Sequence, residues 1–175
     1  MYTSTTNSKT VSILPNSEAN APIIHLNTFS AEGQKVYETT QVAGCLPFTL
    51  VAVSDLDWNH DMVPWDSPPA FKNTNPCTGG GDEYLRLLTE EIIPTTEKAL
   101  NGVPRWRGIA GYSPAGLFVL YAIYQTDLFS RVGSMSGSLL TPRGVQRACF
   151  LYTDNASHLL FDSIGSTTHQ ICICA

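Results

Sequence analysis

The chain has 175 residues, which suits one domain with a proper core. A hydrophobic fraction of 43% against 14% charged residues excludes a disordered chain. A net charge of −5 leaves no basic stripe to neutralise phosphates, so neither a nucleic-acid partner nor an anionic membrane is expected.

Residues 1–20 read as a polar segment, with no charged head and apolar core of a secretory signal. No apolar run reaches the roughly 18 residues of a membrane helix. Five cysteines at scattered spacing (45, 77, 149, 172 and 174) fit reduced thiols and a cytoplasmic location. The final Cys-Ile-Cys is too close-set for an ordinary zinc pair.

Apolar strand-like runs then alternate with helical patterns. "APIIHLNTF" (21–29) predicts a buried strand. Ser30 is placed to cap a helix over 31–42, and Gly44 to end it. "FTLVAVS" (48–54) is a β-branched strand. A long irregular stretch, 55–81, follows; connections of this length are often functional. A helix restarts at Asp82, with Tyr84, Leu85, Leu88 and Ile92 on one face. Pro94 predicts a kink or a new helix, and Gly102 a stop. "RWRGIAGY" (105–112) predicts a strand, "AGLFVLYAIYQ" (115–125) a central helix, and 131–140 and 147–153 further strands. The alternation predicts an α/β fold, a mostly parallel sheet with helices on both faces. Residues 21–153 form its core and 154–175 an atypical tail.

In such a sheet chemistry gathers at the carboxyl ends of the strands. Those ends bring Asn27–Phe29, the Trp58 loop and Ser113 to one rim. Ser113 lies in Gly111-Tyr112-Ser113-Pro114-Ala115-Gly116, between a strand and a helix. Small residues around it let strand and helix approach, so the serine is a candidate nucleophile at a sharp elbow. Ala115 stands where the G-x-S-x-G pattern has its last glycine. Pro114 suits the first turn of a helix but carries no N–H.

The motifs "APIIHLNTF", "FTLVAVSDLDWNHDMVPW", "TGGGDEYLRLLTEEIIP" and "GIAGYSPAGLFVLYAIYQTDLFSRVGSMSGSL" occur in the order found in one group of α/β-hydrolases. The chain resembles the esterase group that includes the esterase D-like enzymes and the trilactone siderophore esterases. The resemblance spans roughly 21–140. It implies hydrolysis of a small-molecule carboxylic ester without a cofactor. Ser113 would be the nucleophile, Asp154 the candidate acid and His169 the candidate base. An oxyanion loop would lie at Asn27, Thr28 and Phe29. Trp58, His60 and Trp65 would line the substrate cleft, or the tryptophans would simply cover the sheet end. The likeness fades after Asp154, so the fold is expected to be incomplete on its C-terminal side. A sheet edge left bare there would favour self-association.

Other readings of single features are blander. The carboxylates at 55, 57, 61 and 66 are expected to be solvated or to cap turns, not to hold a metal. Gly79-Gly80-Gly81 lacks the Gly-Lys-Ser/Thr of a phosphate loop. His25 lies in a strand and is expected to be packed. Two alternatives to an active esterase stand beside it. One is a family member impaired by Pro114 and a short C-terminus. The other is a noncatalytic module that holds an aromatic ligand on the Trp58–Trp65 loop.

Overall fold

A computed structural model describes residues 1–69, 74–100 and 102–135. Its centre is a six-stranded sheet in the order β1-β2-β4-β3-β7-β8. Strands β3 (Ile23–Asn27), β4 (Thr49–Ser54), β7 (Arg107–Tyr112) and β8 (Arg131–Met135) run parallel. β3 and β4 are buried along their whole length. Burial on both faces explains why their sequences are nearly continuous apolar runs and do not alternate.

The two faces carry separate cores. Leu14, Ile24, Leu26, Phe48 and Leu50 pack beneath α1 (Gly33–Val42), which contributes Val36 and Tyr37. Ile23, Val51, Val53 and Ile109 meet residues of α2 (Gly81–Leu87), α3 (Ile93–Lys98) and α4 (Pro114–Gln125). The expected two-faced α/β fold is thus observed. The apolar α4 is central, as its composition required. Phe118, Val119 and Ala122 are fully buried, and each large side chain of this kind contributes about 1.5–3 kcal/mol.

Residues 1–20, read from sequence as a polar segment, contribute two strands. β1 (Tyr2–Thr6) and β2 (Lys9–Leu14) form a hairpin, and β2 adds antiparallel to β4. The turn residues Asn7 and Ser8 have φ of 45° and 64°, the left-handed geometry that matches strand twist in a tight hairpin. Val11, Ile13 and Leu14 are its buried anchors.

One helix boundary differs from expectation. Ser30 does not cap α1. The helix begins at Gly33, and the Ser30 hydroxyl instead bonds a carboxylate oxygen of Glu32 at 3.0 Å. Pro94 stands in the first turn of α3, the new helical segment expected there. A π-helical turn at Leu88–Ile92 joins α2 to α3, with the Ile93 N–H reaching the Leu88 carbonyl. Widening the helix accommodates the proline ring and its missing donor.

The chain leaves β3 through α1 to β4 on one side, and later leaves β7 through α4 to β8 on the other. The connections diverge between the carboxyl ends of β3 and β7. In open parallel sheets that switch point is where ligand crevices form.

Candidate active site

Asn27, the last residue of β3, lies beside Gly111 of β7. The 28–32 loop and the Ser113 turn therefore leave the sheet side by side. Ser113 has φ 54° and ψ −126°, a region where an L-residue is strained. Its backbone is held at both ends. The Ser113 N–H donates to the Met135 carbonyl at 3.0 Å, and the Ser113 carbonyl accepts the Gly116 N–H at 3.0 Å.

Gly111 makes this turn possible. A Cβ there would lie 2.7 Å from both Cβ and the carbonyl oxygen of Ala115. Backbone oxygen cannot swing aside, so Gly111→Ala should push α4 off β7. The expected loss is about 2–4 kcal/mol, measured as a lowered urea midpoint with unchanged m-value. Unaltered stability would show that the elbow tolerates a side chain.

The three residues of the expected oxyanion loop have different fates. Asn27 is fully buried and structural: its amide donates to the Ala110 carbonyl at 3.3 Å and accepts the Tyr84 hydroxyl at 2.5 Å. Burial holds the Tyr84 hydroxyl well above its ordinary range, with Asp61 adding to the effect. Thr28 gives both its N–H and its hydroxyl to the Val53 carbonyl, at 2.9 and 3.1 Å. Phe29 alone turns its N–H toward the elbow, where it donates to the Tyr112 hydroxyl at 3.2 Å. That hydroxyl in turn donates to Glu32 at 3.1 Å. Burial leads in raising the Tyr112 hydroxyl above its ordinary value, so it stays protonated near neutral pH.

An aromatic row caps this corner. Phe29, 62% exposed, meets Trp58 edge to face at 5.4 Å between ring centroids. Trp58 meets Tyr112 at the same distance, tilted by 50°. The structure thus brings Trp58, Phe29 and Tyr112 together next to Ser113. Trp65 lies farther along the loop, with its main chain against Gly79, where the short strands β5 (Asp66–Ser67) and β6 (Cys77–Thr78) pair.

His60 is engaged within its own loop. Its Nδ1 bonds the Thr78 hydroxyl at 2.7 Å, its Nε2 lies 3.9 Å from Glu83, and its ring covers Gly80. The loop carboxylates also serve the loop. Asp57 accepts the N–H groups of Asn59 and His60, Asp55 accepts the Thr10 hydroxyl, and Asp61 pairs with Lys9 and the Asp57 N–H. Among the described residues no group of His, Cys, Asp and Glu is arranged to hold a metal. His25 is fully buried with neither ring nitrogen hydrogen-bonded, which disqualifies it as a base for Ser113. Asp154 and His169 lie outside the described residues. Tyr112 and Glu32 were not singled out from sequence; the tyrosine's place in the elbow itself was the available signal.

The family described as "Putative esterase" matches residues 26–159. The chain belongs to this esterase family. The matched stretch includes Ser113 and Asp154 and ends before His169. Solved structures agree on the fold. The BES protein from Bacillus cereus is 19% identical with a TM-score of 0.67, over 86% of this chain and 66% of that one. An IroE-like serine hydrolase from Shewanella oneidensis is 17% identical with a TM-score of 0.68, over 82% and 51%. The enterobactin hydrolase IroE in complex with DFP is 27% identical with a TM-score of 0.63, over 83% and 63%. This esterase chain therefore spans about half to two thirds of the length of those structures. No curated protein matches the sequence. Among the described residues no helix is long and apolar enough to cross a membrane, and Cys45 and Cys77 are free thiols.

Proposed function

We propose that this family member hydrolyses small carboxylic esters, with Ser113 as nucleophile. The observation that carries the reading is the backbone of Ser113. A φ of 54° with ψ of −126° is held by flanking hydrogen bonds at the switch point of the sheet. Glycine would relax there, and strain of this kind at a non-glycine residue typically marks functional positions.

In the proposed reaction the Ser113 Oγ attacks the ester carbonyl while His169, oriented by Asp154, takes its proton. The carbonyl π pair moves to oxygen. Collapse expels the alcohol, which takes that proton from His169. Water, giving a proton to the same histidine, then releases the acid from the acyl-serine, and the proton returns to Ser113. The exposed edge of the Phe29–Trp58–Tyr112 row receives the acyl or aryl group. A cytoplasmic location, with no cofactor, nucleic-acid partner or membrane partner, completes the reading, and self-association is left to its test by sedimentation.

A second reading, an esterase of reduced power, is favoured by the scarcity of N–H donors. Pro114 has none, Thr28 spends its own on Val53, and Phe29 gives its own to Tyr112. A fluorophosphonate probe followed by peptide mapping tests both. Labelling of Ser113 with turnover of p-nitrophenyl acetate supports the esterase. Labelling without turnover supports the impaired form, and absence of label from the folded protein overturns the assignment of Ser113.

A further inference from the structure

We propose that the Tyr112 hydroxyl is an oxyanion donor, standing in for the N–H that Pro114 lacks. The inference rests on the reading of Ser113 as nucleophile. Attack on an ester converts the carbonyl oxygen to an oxyanion, which needs preorganised donors aimed at it. The residue after the nucleophile usually supplies one, and here it is proline. The loop after β3 supplies another, and of Asn27, Thr28 and Phe29 it is Phe29 whose N–H reaches the tyrosine before Ser113.

That Phe29 N–H is taken up by the Tyr112 hydroxyl. The Tyr112 oxygen accepts the Phe29 N–H at 3.2 Å and sends its own proton to Glu32 at 3.1 Å. A donor that is itself hydrogen-bonded is polarised and donates more strongly. Rotating the C–O–H bond moves that proton from Glu32 to a nearby oxyanion without moving the ring. The ring is fixed by its contact with Trp58 and by its place in β7, directly before Ser113. Phe29 then acts through Tyr112: backbone N–H to phenol oxygen, phenol O–H to oxyanion. No bond to hydrogen breaks, and Glu32 only loses and regains a hydrogen bond.

The role is separable from a packing role by coupling to position 114. Tyr112→Phe keeps the ring on Trp58 and should stay folded, with a melting temperature lowered by a few degrees for the two lost hydrogen bonds. It should lower kcat on p-nitrophenyl acetate about 100-fold, the usual cost of one oxyanion donor, with KM little changed. Pro114→Ala restores a backbone N–H. In that background Tyr112→Phe should cost less than about tenfold, because a donor is present without it. Equal losses in both backgrounds would overturn the proposal. So would a faster Tyr112→Phe enzyme, which would mean that the hydroxyl blocks Phe29. Fluorophosphonate labelling of the same four proteins separates the failures. Label on Ser113 without coupling refutes only Tyr112, whereas no label on Ser113 in any of them refutes the nucleophile and this inference together.

Discussion

A Ser113→Gly variant is expected to lose ester hydrolysis and fluorophosphonate labelling completely, and to melt at a higher temperature than the parent. Loss of activity follows from loss of the nucleophile. The gain in stability follows from the backbone. At φ 54° and ψ −126° an L-residue carries about 1–3 kcal/mol of strain. Glycine removes it and returns about 0.5–1 kcal/mol through the greater freedom of the unfolded chain. The balance favours glycine by about 1 kcal/mol, or about 2–4 °C for a chain of this size. Ser113→Ala is the control: equally inactive, but still strained, so it should not share the gain. The hydrogen bonds from the Ser113 N–H to Met135 and from Gly116 to the Ser113 carbonyl are backbone bonds and survive both changes. Equal stability of the two variants would show that the turn carries no functional strain. An elevated melting temperature in the glycine variant alone would place residue 113 among sites where function opposes stability.

The elements that fix the elbow were legible because burial wrote them into the sequence. β3, β4 and α4 are covered on most sides, so they read as apolar runs of the right length, and the glycine and alanine beside Ser113 announced a close strand–helix turn. The hairpin at 2–14 was not legible. It reads Thr-Ser-Thr-Thr, its turn is Asn-Ser and not Asn-Gly, and only Val11, Ile13 and Leu14 mark its buried side. Pro94 was visible as a helix disturbance, but whether a helix answers with a kink or a π turn depends on what its face packs against. Here Leu88 and Ile92 are both buried, and the π turn preserves continuous contact with the core.

The site shows the same division. Backbone placement followed from topology: Asn27 beside Gly111 needs only strand order and register. Donor assignment did not, because it depends on side-chain reach across distant segments. The bond from Phe29 to Tyr112 joins residues 83 apart, and that from Tyr84 to Asn27 residues 57 apart. No local pattern encodes either one. The same is true of Lys9 and Asp61, which tie the hairpin to the Trp58 loop. The capping role of the loop carboxylates, in contrast, was foreseeable, since Asp57 reaches only two and three residues ahead.

Acid should unfold this protein early, and His25 is the cause. Its ring is fully buried in β3 against Phe129, with neither nitrogen hydrogen-bonded. Desolvation foremost, and then the positive charge of Arg107, hold its pKa at about 3, against 6.5 in an exposed chain. Between those values the unfolded chain binds a proton that the folded chain refuses. Stability is therefore complete above about pH 6.5 and falls as pH drops, by about 1.4 kcal/mol for each unit. A fall from pH 6 to pH 4 costs about 2–3 kcal/mol from this group alone, a large share of the stability of a domain. Arg107 cannot relieve the cost, because its own partner is Glu97, at 2.5 and 2.8 Å. His25→Leu fills similar space, removes two unpartnered nitrogens and cannot charge. Urea unfolding at pH 7, 6, 5 and 4 should show the two proteins diverging as pH falls, with the leucine variant the more stable. The carboxylates titrate equally in both and cancel in the difference. Parallel curves would mean that water or a partner reaches the imidazole in the folded protein, and that its charge is no obstacle to folding.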